Sequence, residues 1–227
     1  MRTFQAALAA SVLILTGCTS APEPHPLTQE QAELLAVVRF TNHDHQVVAF
    51  RGRLPSAAGT LELAGRIDYL RGIGYGTLRT DGGVGYGSAG VLQWSRRGLA
   101  FLAGATEASD PPPAGQWRLR PIQATGGELD TALALLLDLG NDRPDNAQIL
   151  RQSGARWLRS DTVDGTPVDV FEGPRAAGKA GPRLRYWVAG SGDLRQVEAR
   201  IGAAEADASF GFTPGAAPFS AMPQLSG

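Results

Sequence analysis

The chain has 227 residues, with 21 basic against 22 acidic side chains for a formal charge of −1, 43% apolar residues, 29 Gly, 15 Pro and a single Cys. No cationic excess is available to neutralise phosphates, so nucleic acid is excluded as an expected partner. One Cys supplies neither an intramolecular disulfide nor a thiolate metal cage, so the fold must hold by burial, and at this length one domain is expected.

Arg2 and the apolar run over 4–15 read as a secretory signal peptide occupying residues 1–17. The run is about a dozen residues, short of the roughly 20 that a helix needs to cross a bilayer. It ends in Leu15-Thr16-Gly17-Cys18, which resembles the lipobox of bacterial lipoproteins. That resemblance implies diacylation of Cys18. Two acyl chains, at about 0.8 kcal/mol per buried methylene, form a stable anchor where one is marginal. The expected mature protein begins at Cys18 on the extracytoplasmic face of the cell membrane, held by a diacylglyceryl group. Residues 18–27, with Pro22, Pro24 and Pro26, form a short stiff tether.

Thr28-x-x-Gln31 has the form of a capping box, with Leu27 and Ala32 placed for a hydrophobic staple, and Gln31, Leu34, Leu35 and Val38 fall at helical spacing. The spacing predicts a helix over 29–40. Over 60–69, Leu61, Leu63, Gly65, Ile67 and Tyr69 alternate with polar or small residues, the pattern of a strand with one wet face. Shorter alternating runs at 46–54, 73–80, 91–95 and 99–103 suit consecutive hairpins, turning at Asp81-Gly82-Gly83 and Arg96-Arg97-Gly98. A Pro-rich loop over 110–116 precedes a strand over 117–120. Leu129, Leu133, Leu136 and Leu137, widened by Leu135 and Leu139, predict a deeply buried helix over 128–139 that stops at Gly140. Asp145-x-x-Gln148 opens a short helix ending near Gly154, and a second block of strands follows at 155–160, 166–172, 183–189, 194–201 and 204–212. The domain expected is 28–213, and 214–227, rich in Pro, Gly and Ala, is expected to be a flexible tail.

Motifs for chemistry are weak. Gly85-x-Gly87-x-x-Gly90 matches a dinucleotide fingerprint by letter, but Val91 to Trp94 continue as strand where a helix is required. His43-Asp44-His45 lacks a third ligand at any fixed spacing and reads as a polar turn. Asp161, Asp164 and Asp169 sit beside turns, where Asp is favoured for backbone reasons. No Gly-x-Ser-x-Gly elbow is present. The expectation is a protein without catalytic residues, metal or cofactor. Trp94, Trp117, Trp157 and Trp187 each fall in a predicted strand and read as core.

The order of lipobox, capped helix, strand meander, helical interruption and second meander resembles the half-barrel lipoproteins and carriers of the LolA, LolB and LppX/LprG type. Arg185-Tyr186-Trp187-Val188 followed by Gly192-Asp193-Leu194-Arg195-Gln196-Val197 is similar to a hairpin of those families, and Asp164-Gly165-Thr166-Pro167-Val168 to the turn of an earlier hairpin. The resemblance implies an α+β fold in which a strongly curved antiparallel sheet of roughly ten strands, a half-barrel, is covered on its concave face by a few helices. It also implies a lipid or acyl-chain ligand, bound or transported without covalent chemistry. Glycines such as Gly72, Gly74 and Gly76 let a sheet bend and are expected to leave space above it. Apolar alternation nominates Val48, Phe50, Leu61, Leu63, Ile67, Leu92, Trp94, Leu133, Leu137, Val168, Val170 and Trp187 as the cavity lining. The alternative is a packed scaffold on the same fold that works by contact with another envelope protein.

Overall fold

The computed structural model describes residues 23–57, 59–81, 89–123, 127–174, 184–202, 205–223 and 225. Cys18, the signal segment and most of the Gly85-x-Gly87-x-x-Gly90 run lie outside them.

Thr28 caps the first helix in the manner its spacing predicts: its Oγ1 accepts from Gln31 N at 3.2 Å, and Gln31 Oε1 accepts from Thr28 N at 3.0 Å. This helix, α1 (Gln29–Asp44), runs one turn past the expected end, so His43 and Asp44 are helical and His45 is the C-cap. Six strands follow: β2 (Val47–Ser56), β3 (Gly59–Asp68), β4 (Ile73–Asp81), β5 (Ala89–Ser95), β6 (Gly98–Ala103) and β7 (Arg118–Arg120). The helices α2 (Glu128–Asp138) and α3 (Ala147–Gln152) interrupt them, and β8 (Arg156–Val163), β9 (Thr166–Glu172), β10 (Arg185–Ala189), β11 (Leu194–Ala199) and β12 (Ala208–Pro214) complete the chain.

With a short edge strand β1 (His25–Pro26), the strands among the described residues join one open antiparallel sheet of 12, in the order β1-β8-β9-β10-β11-β12-β2-β3-β4-β5-β6-β7. The seam is β12 against β2, where Phe212 faces Phe50, so the last strand pairs with the first long one. The edge strand β1 (His25–Pro26) corrects part of the tether expectation. It pairs with Trp157 and Arg156, the His25 ring stacks on Trp157 at 4.8 Å, and Leu27 is buried.

The sheet curves around the helices, and a single apolar cluster joins strand residues from both meanders to Leu35 and Val38 of α1 and to Leu129, Leu133 and Leu136 of α2. Each such fully buried side chain is worth about 1.5–3 kcal/mol of transfer free energy. The bend is built on glycine. Gly65 and Gly76 face each other across β3 and β4, and a Cβ at either would stand 2.2–2.3 Å from a carbonyl oxygen of the other strand. Gly72, at the β3–β4 turn, opens onto free space, but Gly52, Gly74 and Gly90 within the strands do not leave a hollow. The Phe210 ring lies over Gly52, Trp94 over Gly74 and Phe101 over Gly90, each within 2.0–2.2 Å of where a Cβ would be. Trp94 is also edge-on to Phe50 at 5.9 Å, and its Nε1 donates to Leu133 O at 3.0 Å. The concave interior is filled by rings.

The convex face holds two smaller clusters, and one of them corrects the tail expectation. Phe219 is 3% exposed, packed with Tyr75, Ile73, Val47 and Val91. Residues 216–222 form a strap: Ala216 N donates to Val47 O, Arg71 Nη2 to Phe219 O at 2.6 Å, Gln93 Nε2 to Ser220 O, and Met222 N to Gln93 Oε1. The guanidiniums of Arg66 and Arg71 each lie 5.3 Å from the Phe219 ring centre. The Ala and Pro composition that resembled a loose tail is what permits an extended segment to lie flat on a sheet.

Candidate ligand groove

Nine of the twelve nominated residues, Val48, Phe50, Leu61, Leu63, Ile67, Leu92, Trp94, Leu133 and Leu137, belong to the concave core, where they pack against one another. The other three are a correction. Val168, Val170 and Trp187 lie on the convex face with Ala189, in a cluster flanked by Leu158 and Val163. In β9 and β10 both faces carry apolar side chains, with Phe171, Tyr186 and Val188 on the concave side, so alternation does not reveal which face is inward.

Of the three turn-flanking carboxylates, Asp161 anchors this convex layer, whereas Asp169 holds Trp157 of the concave core. Asp161 accepts from Trp187 Nε1 at 3.1 Å and Arg159 Nη2 at 2.9 Å, and Asp169 accepts from Trp157 Nε1 at 2.8 Å. Asp164 sits at φ +48° on the β8–β9 turn. Trp117 precedes β7 rather than lying in a strand, and its Nε1 donates to Pro113 O. His45 Nε2 lies 2.6 Å from Asp193 Oδ1, fixing the end of α1 to the β10–β11 turn. Burial acts to raise the Asp193 pKa, but hydrogen bonds from His45 and Ser191 outweigh it and hold the carboxyl below its ordinary range.

Open space gathers where the helices meet the end of the sheet. A groove of about 700 Å³ runs between α1, the end of α2, α3 and the start of β10. Leu35, Leu135, Leu139, Ile149, Leu150 and Leu184 give it an apolar wall. Ile149 stands at its edge with 62% of its surface exposed.

The geometry comes from the C-terminal half of α1, which grips the α2–α3 connection. Asn42 Nδ2 donates to Leu139 O at 2.9 Å, Asn141 N to Arg39 O at 3.0 Å, and Asp145 N to Ala36 O at 2.8 Å. α3 is capped by Asn146, whose Oδ1 accepts from Gln148 N and Ile149 N, one residue later than the sequence spacing indicates. Asp145 is thereby free for Arg39.

The polar end of the groove is Arg39, whose Nε donates to Asp138 O at 2.8 Å and whose Nη1 meets Asp145 Oδ1 at 3.2 Å. The Tyr186 phenol lies nearby, its pKa pushed up to about 12 by burial, so it stays a neutral donor across the physiological range. Such a groove accepts an apolar body along its Leu and Ile wall and a polar group at Arg39, Asn146 and Tyr186. Among the described residues no group of three His, Cys, Asp or Glu side chains is placed to hold a metal ion.

None of these groove residues is among the twelve that apolar alternation singles out. Leu135 and Leu139 carried a signal, since they widen the α2 stripe beyond what one packing face needs. Arg39 and Asp145 are 106 positions apart and carried none.

No protein-family model and no curated protein matches the chain. Among solved structures, one described as the complex of Pseudomonas aeruginosa MucA and MucB is similar at 14% identity and a TM-score of 0.38, over 88% of this chain and 60% of that one.

Proposed function

We propose that this protein is an extracytoplasmic lipoprotein, anchored through Cys18, that binds a lipid or acyl chain in the groove between its helices and the end of its sheet. The observation that carries this reading is the groove itself. Its volume of about 700 Å³ lies within the range of small-molecule sites, and its wall is aliphatic with polar groups at one place. The ligand site is therefore assigned to Leu35, Leu135, Leu139, Ile149, Leu150 and Leu184 rather than to the ring-filled interior. The lining supports binding without covalent chemistry.

The test is uptake of a fluorescent fatty acid, paired with native mass spectrometry of protein expressed without acylation. Saturable uptake is expected, weakened about tenfold or more by Leu184→Glu, because a carboxylate in an apolar wall is not compensated. Val170→Thr, on the convex face, should leave uptake unchanged. Ligand-free protein that takes up no fatty acid would overturn the assignment.

A second reading has its own support. The rings over Gly52, Gly74 and Gly90 make the concave interior solid, as expected of a scaffold that works by contact with another envelope protein.

A further inference from the structure

The convex face of β12, β2, β3 and β4 carries a depression that the acyl-chain reading does not use. Strand register places Gly211, Arg51, Ala64 and Thr77 in one lateral row, and Ser209, Arg53, Glu62 and Arg79 in the next. Gly211, Ala64 and Thr77 are too small to fill the surface, so the arginines border a trough. Two hollows, of about 600 and 490 Å³, adjoin at Arg51, Ala64 and Gly211, and the second extends under the β8–β9 turn to Arg195 and Asp164.

The charge in this trough is largely uncompensated within the chain. Among the described residues Arg51 and Arg79 make no side-chain hydrogen bond or ion pair, and Arg195 Nε is a buried donor without an acceptor. Arg53 reaches Glu62 only at 4.0 Å, with both side chains more than half exposed. Four guanidiniums against Glu62, Asp164 and Asp193, the last beside Arg195, leave a local positive field in a chain whose formal charge is −1.

We propose that this trough docks an extended, acidic polypeptide segment of another protein, laid across the strands with its carboxylates on Arg51, Arg79 and Arg195. Guanidinium forks take carboxylates in bidentate pairs, which gives direction as well as attraction. With strands about 4.8 Å apart and residues about 3.3 Å apart along them, the Arg51 and Arg79 Cα atoms are about 12 Å apart, a span that three or four residues of extended chain cover. The recessed floor favours a chain over a bilayer, because a flat lipid surface touches only the rim. This site stands independently of the acyl-chain groove.

The experiment is fluorescence anisotropy of a fluorescein-labelled decaglutamate peptide titrated with the whole protein at low ionic strength. Saturable binding is expected, lost progressively as salt is added and weakened about tenfold or more in the double variant Arg51→Glu, Arg79→Glu. Arg143→Glu, an exposed reversal remote from the trough, should bind as the parent does. The neutralising pair Arg51→Gln, Arg79→Gln gives the same comparison should the reversal disturb folding, and matched thermal melts show that the fold is retained. Absence of saturable binding, or binding indifferent to both double variants, overturns the proposal. So does a result in which the variants lose affinity only for phosphatidylglycerol vesicles while decaglutamate does not bind, since the face then reads lipid headgroups.

Discussion

Asn42 shows how much one side chain decides. It is 2% exposed in an otherwise apolar helix face, and its amide is spent on Leu139 O, the carbonyl at the end of α2. Asn42→Leu removes the donor and strands that carbonyl, so a loss of about 1–3 kcal/mol is expected in urea denaturation. Groove affinity should fall with it, because the α2–α3 connection is released. Gly65 is more constrained than Gly74. A methyl at Gly74 meets the Trp94 side chain, whereas at Gly65 it meets the Tyr75 backbone carbonyl at 2.2 Å. Gly74→Ala should cost about 1–3 kcal/mol by overpacking, and Gly65→Ala more, measured on the same denaturation curves.

Asp130 contributes a pH dependence. Its burial acts to raise the pKa, but Arg120, at 2.5 and 2.7 Å, and Gln123 N at 2.9 Å outweigh it, so the folded pKa is lowered. A carboxyl with a depressed folded pKa gives stability that is full above its unfolded pKa of about 3.9 and is lost as pH falls through the folded value. Asp130→Asn is expected to destabilise at neutral pH and to flatten the acid limb of stability against pH.

At the scale of elements, the strap over 216–222 is a removable layer. Its hold is Phe219, set 5.5 Å from Tyr75 and under two guanidiniums. Phe219→Ala is expected to cost about 3 kcal/mol locally and to expose the strap amides to hydrogen exchange, with β2 to β6 still protected. Global loss of protection would show instead that the strap is integral to the sheet. Its composition hid it: no periodic pattern marks residues whose only buried anchor near the sheet is one Phe. α1 and α2 were readable because capping and stripe are local signals. The inward face of β9 and β10 was not, since Val168, Val170 and Trp187 are as apolar as Phe171 and Val188 on the other side.

Over the whole molecule, the β12–β2 seam makes two meanders into one cooperative body. Neither meander has its own interior, for the cluster under α1 and α2 draws Phe50, Leu63 and Leu92 from one and Phe171, Val197 and Phe210 from the other. A single unfolding transition is expected, with fluorescence of the buried Trp94 and far-ultraviolet circular dichroism coinciding. Two separated transitions would mean that the meanders fold as units. The pairing that joins the two halves of the open sheet brings together residues such as Phe50 and Phe212, far apart in the chain, and no local propensity specifies it.

Neighbours within a turn or a hairpin are enough to specify the capped helix, the Leu-rich helix, the strand periods and an α+β protein built on an antiparallel sheet. Where empty space lies is set instead by packing between segments distant in the chain. Whether a glycine leaves a hollow depends on whether a ring from an adjacent strand swings over it, and here Phe210, Trp94 and Phe101 do so. The groove at the helices is made by α1 gripping the α2–α3 connection, through contacts between residues about a hundred positions apart.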